Sequence, residues 1–307
     1  MLTSNATLQV GTGCTDGALA DLNGDGKPDL LILQGKTVII FTNAGNARFV
    51  SNSIVTLPST GGPLLVGDFN NDGRLDFAGG GAVCLNNGGG AFTINATGAA
   101  VLAVGDLNGD GWLDLVIAGN GVSFGTMTND GAGNFTAGTG FTLANASNYG
   151  LYGLKGAAVA DMNGDFLADV VFYDGSQPQG HFAVATNGPS GWLLGGMFSG
   201  SVEAYCMGLA DLNNDNRPDM VFGNSSFGNS SITVAINTSI YFSPPVNIVN
   251  LGGTNLVYWR GPSPNSVLQM ATNLTNPVWR DMTNGLPVKG MLTPGALPAS
   301  YYRLISR

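Results

Sequence analysis

Apolar runs in this chain are short, and each begins at the end of a polar string. DLLIL starts at Asp29, DFAGG at Asp76, DLVIA at Asp114 and DVVFY at Asp169. Runs of this length, bounded by Gly, Asn and Asp, read as β-strands. The polar string is itself a repeat: DLNGDGKPDL from Asp21, DFNNDGRLDF from Asp68, DLNGDGWLDL from Asp106, DMNGDFLADV from Asp161 and DLNNDNRPDM from Asp211. Successive copies start 47, 38, 55 and 50 residues apart. That period suits a blade of four short strands.

The flanks repeat as well. A small residue precedes each first Asp (Ala20, Gly67, Gly105, Ala160, Ala210), and Leu or Val precedes that (Leu19, Val66, Val104, Val159, Leu209). This reads as an inner strand at a crowded centre. Further on come Asn-led turns at Asn43, Asn86, Asn129, Asn187 and Asn237. Five or six residues later stands an aromatic: Phe49, Phe92, Phe135, Trp192 or Phe242. The spacing predicts a hairpin joining third and fourth strands. One such sheet cannot bury both faces, whereas radial stacking of sheets can. The expected fold class is all-β: a β-propeller of about five four-stranded blades over residues 1–242, then a small β-sandwich-like module over 243–307. SPPVNIV after Phe242 makes a poor fourth strand for the last repeat, so ATLQV near the N-terminus is the expected donor that closes the ring.

Composition sharpens the picture. Charged residues are 10% of the chain, glycines number 48, and 19 of the 20 acids are Asp. Helical surfaces use Glu freely, so an all-Asp bias points to turns or metal loops. The net charge of −9 divides unevenly: residues 241–307 are basic and the larger part acidic, which argues against a nucleic-acid partner. Cys14, Cys84 and Cys206 show no zinc spacing and are expected to be small buried residues. No run reaches the roughly 18 apolar residues of a membrane helix. MLTSNATLQV lacks the basic and apolar regions of a signal peptide.

The loop chemistry points to calcium. Hard cations take six to eight oxygen ligands. Positions 1, 3, 5 and 9 supply them in each repeat: Asp21, Asn23, Asp25, Asp29; Asp68, Asn70, Asp72, Asp76; Asp106, Asn108, Asp110, Asp114; Asp161, Asn163, Asp165, Asp169; and Asp211, Asn213, Asp215, Asp219. Position 7 (Lys27, Arg74, Trp112, Leu167, Arg217) offers only its carbonyl and is free to vary. Gly or Asn at positions 4 and 6 supplies the left-handed backbone that the wrap needs. Phe166 at position 6 predicts strain and weak affinity in the Asp161 loop. Five ions would move the net charge from −9 to about +1. Extracellular sites of this sort bind with Kd on the order of 10⁻⁴–10⁻³ M, so an extracellular or cell-surface location is expected.

These strings resemble FG-GAP/VCBS repeats, as in integrin-type and bacterial surface propellers. The resemblance implies bidentate binding by the ninth-position Asp, and families of this kind commonly have seven blades. The tail, with Trp259, Leu268, Gln269, Asn273, Leu274, Trp279, Asp281, Tyr302, Arg303 and Leu304, is similar to a terminal module common in secreted bacterial proteins.

Enzymatic chemistry finds little support. His181 is the one histidine, and the acids outside the loops (Asp16, Asp130, Asp174, Glu203, Asp281) are scattered among repeats. The leading expectation is a calcium-binding adhesion module that recognises an extracellular glycan or surface protein. The alternatives are a calcium-dependent polysaccharide lyase and a structural spacer. Trp112, Tyr149 and Tyr152 are the candidate ligand contacts, while Trp192 is expected in the core.

Overall fold

The structure, a computed structural model, describes residues 7–8, 10–46, 48–142, 154, 156–165, 167–174, 181–188, 191–199, 203–215, 217–226 and 229–238, together with strands between 247 and 306. Two compact units divide the chain: Met1–Met162 with Leu167–Asn237, and Asn163–Phe166 with Thr238–Arg307. Every described element is a β-strand.

The first unit is a five-bladed β-propeller in which each blade is an antiparallel meander. Blade one is β1 (Cys14–Ala20), β2 (Asp29–Gln34), β3 (Thr37–Asn43) and β4 (Phe49–Thr56). Blade two is β5 (Leu65–Gly67), β6 (Asp76–Gly79), β7 (Ala82–Gly88) and β8 (Ala91–Ala96). Blade three is β9 (Val101–Gly105), β10 (Asp114–Ala118), β11 (Ser123–Asn129) and β12 (Phe135–Thr142). Blade four is β13 (Gly156–Ala160), β14 (Asp169–Asp174), β15 (His181–Thr186) and β16 (Leu193–Ser199). Blade five has three strands among the described residues: β17 (Glu203–Ala210), β18 (Asp219–Ser226) and β19 (Asn229–Ala235).

Every second strand starts on the ninth Asp of a loop, and the apolar runs are those strands. The expected fourth strand from ATLQV does not appear at Thr7, Leu8 or Val10, while Ala6 and Gln9 lie outside the described residues, as does Phe242. The second unit contributes β20 (Asn247–Leu251), β21 (Thr254–Tyr258), β22 (Ser266–Ala271), β23 (Arg280–Asp281), β24 (Gly290–Pro294) and β25 (Tyr301–Ser306). These pair as two three-stranded sheets, β20-β21-β24 and β23-β22-β25.

Period-two alternation sends side chains to both faces of each blade, and neighbouring blades share them. Leu31, Leu33, Val38 and Ile40 of blade one pack with Phe77 and Cys84 of blade two. Ala78, Val83 and Leu85 meet Val101 and Leu115 of blade three. Phe124 and Val116 meet Val170 and Phe172 of blade four, and Phe182 and Val171 meet Met220 and Phe222 of blade five. The Phe182 and Phe222 rings lie 4.0 Å apart. Trp192 belongs to this packing: its ring stands edge-on to Phe124 at 5.1 Å, and Nε1 donates to Thr139 Oγ1 at 3.2 Å.

The small residue ahead of each loop is explained by approach distance. A Cβ on Gly105 would lie 2.6 Å from Cγ1 of Val159 in the next blade. The cysteines depart from expectation. Cys84 is buried, but Cys14 and Cys206 are exposed, on the inner strands of blades one and five. Cys14 opens β1 at a register irregularity, and Cys206 stands opposite Gly223, which has no side chain to cover it.

Candidate metal centres

Loops one, two, three and five are built around their first aspartate. In loop one, Asp21 Oδ1 accepts the backbone N–H groups of Gly24 and Asp25 at 2.9 and 3.1 Å, and Oδ2 accepts that of Gly26 at 2.7 Å. Loop three repeats this: Asp106 accepts from Gly109, Asp110 and Gly111 at 2.6, 3.1 and 2.9 Å. Asp68 holds Asp72 and Gly73, and Asp211 holds Asp215. A carboxylate can gather that many N–H groups only if the chain turns left-handed beneath it. The φ values are positive as the sequence requires: 73° and 81° at Gly24 and Gly26, 58° at Asn71, 60° at Asn214. Phe166 and Asn216 lie outside the described residues, so the strain expected in the Asp161 loop does too.

At position 3 the amide is shared. Its oxygen accepts the position-5 N–H in all five loops, as from Asp25 to Asn23 at 2.9 Å. In the last four its Nδ2 donates to the position-5 carboxylate, as from Asn108 to Asp110 at 2.8 Å.

Position 7 is not a free position. Lys27 Nζ lies 2.9 Å from Asp25 Oδ2, Arg74 pairs with Asp72, and Arg217 Nε stands 3.8 Å from Asp215. The Lys27 amine, through its hydrogen bond, holds the Asp25 carboxyl below the usual range. Burial works against the charge on Asp72, but the Arg74 N–H, the Asn70 amide and the Arg74 charge bring it below that range as well. Such exposed pairs contribute about 0–1 kcal/mol. In loop three Trp112 takes the position. Its ring covers Gly131, where a Cβ would lie 2.8 Å from Cε2, and the side chain stays 37% exposed. Tyr149 and Tyr152 lie outside the described residues.

The ninth aspartate lies beneath the loop and is buried in all five copies: Asp29, Asp76, Asp114, Asp169 and Asp219. One oxygen accepts the N–H of the position-2 residue: Leu22, Phe69, Leu107, Met162 or Leu212, at 2.8–3.2 Å. The other accepts the N–H of the hairpin asparagine: Asn43, Asn86, Asn129, Asn187 or Asn237, at 2.7–2.9 Å. This carboxylate ties the loop to the third strand whether or not it also faces an ion.

The asparagines do more than turn the chain. Asn86 Nδ2 donates to the Leu22 carbonyl of the preceding blade at 2.7 Å. Asn129 reaches Phe69 at 2.8 Å, Asn187 reaches Leu107 at 2.7 Å, and Asn237 reaches Met162 at 2.9 Å. The sequence reading took these asparagines only as turn formers. The available signal was the use of Asn in all five repeats, where a turn alone would accept Gly, Asp or Ser.

The donor set fits a hard cation. Burial pushes the Asp76 carboxyl up; the Asn86 and Phe69 N–H groups hold it back, and the charges of Asp72 and Asp68 add to the rise. Asp114 is raised in the same way, with Asp110 and Asp106 adding to it. Three carboxylates thus share one field, and a divalent ion is the counter-charge their oxygens suit. Among the described residues no group of three or more His, Cys, Asp or Glu side chains is placed to hold a metal ion by itself. The loops mix carboxylate, amide and carbonyl oxygens instead.

The profile of the FG-GAP-like repeat matches residues 21–79 and 106–172, which contain four of the five loops. The chain carries FG-GAP-like repeats. The FG-GAP-like propeller is similar to several solved structures at low identity. BBS1N in complex with ARL6DN shares 16% identity over 79% of this chain and 73% of that one, with a TM-score of 0.46. A Lactobacillus plantarum protein shares 14% over 100% and 92%, at 0.48. A Bacillus licheniformis rhamnogalacturonan lyase shares 15% over 80% and 47%, at 0.31. No curated protein matches the chain. Among the described residues no helix is long and apolar enough to cross a membrane.

Proposed function

We propose that this FG-GAP-like propeller binds calcium in its loops and serves as an extracellular binding module for a glycan or a surface protein. The observation that carries the reading is the repeated loop geometry: a first Asp closed over backbone N–H groups, an amide and a carboxylate at positions 3 and 5, and a buried ninth Asp beneath them. Calcium would supply the positive charge on which these oxygens converge. Asp21, Asn23, Asp25, Asp29 and the Lys27 carbonyl would hold it in loop one, and the corresponding residues in the others. The chain's own part is to hold those oxygens in place and to tie each inner strand to the second.

Removing the ion leaves the carboxylates to repel one another, so excess EDTA lowers the melting temperature and added calcium restores it. An unchanged melting curve, with no heat of calcium binding by titration calorimetry, defeats the reading. Affinity on the order of 10⁻⁴–10⁻³ M would fill the loops outside the cell and leave them empty in the cytoplasm. Among the described residues Trp112 is an exposed aromatic suited to a sugar face. A glycan array run with calcium separates a binding module from a spacer, and turnover of pectin-like polymers would instead mark a lyase.

A further inference from the structure

Position 7 is filled one way in three of the loops and another way in loop three. Lys27, Arg74 and Arg217 each set a cation against the position-5 carboxylate of their own loop. Two of these side chains also reach the Asn-led hairpin of their blade. A Cβ on Gly45 would lie 3.8 Å from Lys27 Cε, and Arg74 Nε donates to the Asn86 carbonyl at 2.8 Å.

Loop three keeps the carboxylate and the hairpin but changes the side chain between them. Trp112 lies over Gly131, which holds the place in its hairpin that Gly45 holds in the first. Asp110 is the position-5 carboxylate. Its Oδ1 accepts the Trp112 N–H at 2.9 Å and its Oδ2 the Asn108 amide at 2.8 Å. Among the described residues no Lys or Arg pairs with it. A second carboxylate flanks the ring from the hairpin side. Asp130 directly precedes Gly131, and it accepts the N–H groups of Ala132 and Asn134 at 2.8 and 3.2 Å and the Asn134 amide at 2.8 Å. That amide, above all, holds the Asp130 carboxyl below the usual range. Asp110, Trp112 and Asp130 are all exposed. Residues 75–154 hold five Asp and no Lys, Arg or His, so blade three has no cation of its own to set beside them.

We propose that Trp112, Asp110 and Asp130 form a receptor for an arginine side chain of a partner protein. An indole face attracts a cation, and a guanidinium is flat enough to stack on it while turning its N–H groups to carboxylates at the edge. The incoming side chain would restore in loop three the pair that loops one, two and five make internally, in two of them with arginine. A neutral sugar would use the ring and leave both carboxylates without a counter-charge. The inference rests on the binding-module reading above and narrows its partner to a protein. Loops one, two and five carry the same candidate calcium ligands beside a resident cation, so the receptor does not require a loop free of calcium.

Nitrogen-edited NMR of the whole chain tests this, with the Trp112 indole N–H and the Gly131 amide as reporters. The probes are acetyl-Gly-Arg-Gly-amide, its neutral citrulline counterpart and a glucosamine dimer, each with and without calcium. The arginine peptide should shift both signals saturably in the millimolar range, as one exposed stacking contact and exposed charges supply. The citrulline peptide should bind at least several-fold more weakly, and added salt should weaken the arginine peptide. Trp112→Arg gives loop three the resident cation of loops two and five; it should abolish the Gly131 shift without lowering Tm. Asp130→Asn should weaken binding roughly two- to fivefold. No saturable shift, equal shifts with citrulline, or binding retained in Trp112→Arg would overturn the proposal. Tighter binding of the glucosamine dimer would overturn it too, while leaving the binding-module reading in place. The comparison of arginine with citrulline uses the unaltered chain, so the test holds even if a variant fails to fold.

Discussion

A buried aspartate that accepts two backbone N–H groups is a structural residue even where a metal also uses it. Asp114 shows this at the scale of one side chain: its oxygens hold Leu107 and Asn129 at 3.0 and 2.8 Å. In Asp114→Asn, one amide face would turn N–H against N–H and leave a buried donor unpaired. The loss should be about 1–3 kcal/mol and should persist in EDTA, measured by denaturant unfolding. A loss seen only with calcium present would make Asp114 a metal ligand alone.

Titration gives a second check at this scale. In the metal-free chain Asp76 and Asp114 sit above the ordinary 3.8. The folded state therefore holds their protons more tightly than the unfolded state does. Their contribution to stability is full below 3.8 and is lost as pH rises through the folded values. Unfolding in EDTA, followed from pH 3.5 upward with Asp76→Ala and Asp114→Ala as references, should show this decline. Calcium, by compensating the ionised form, should remove it.

Among elements, the unit is the hairpin that ends in asparagine. Asn129 bonds the Phe69 carbonyl of the previous blade and the Leu113 carbonyl of its own, while its N–H supports Asp114. Asn129→Ala keeps the N–H and removes both amide bonds, leaving buried carbonyls unsatisfied. The expected cost is about 1–3 kcal/mol, read by thermal unfolding. Asn43→Ala should cost less, since the described amide bond of Asn43, to the Pro28 carbonyl, lies within its own blade. The close approach of inner strands works at the same scale: Gly105→Ala would push a methyl onto Val159. The strand order, the loops and the hairpin aromatics were legible from spacing. The latch was not, because its partners lie 60 to 80 residues apart in the chain.

For the molecule as a whole, cooperativity follows from shared cores, since each blade buries its faces only against its neighbours. Cys84, in the seam between blades one and two, reports on this. Burial, with Asp76 adding to it, pushes its thiol up to about 12. Iodoacetamide at pH 8 should label Cys14 and Cys206 at once and Cys84 only at the rate of unfolding. Early labelling of Cys84 would mean that the first seam opens on its own.

The five loops, the left-handed glycines and the strand that follows each loop were determined by the sequence alone, because each depends on residues within about ten positions. Their stacking was implied by the same repeat, since a two-faced apolar sheet must be covered. Only the tertiary structure decided that the ninth aspartate is sunk beneath its loop, that Lys27, Arg74 and Arg217 pair with the position-5 carboxylates, and that asparagine crosses to the preceding blade. It also decided which cysteines face solvent. These depend on what the chain brings up from far away, and a local pattern carries no record of that neighbour.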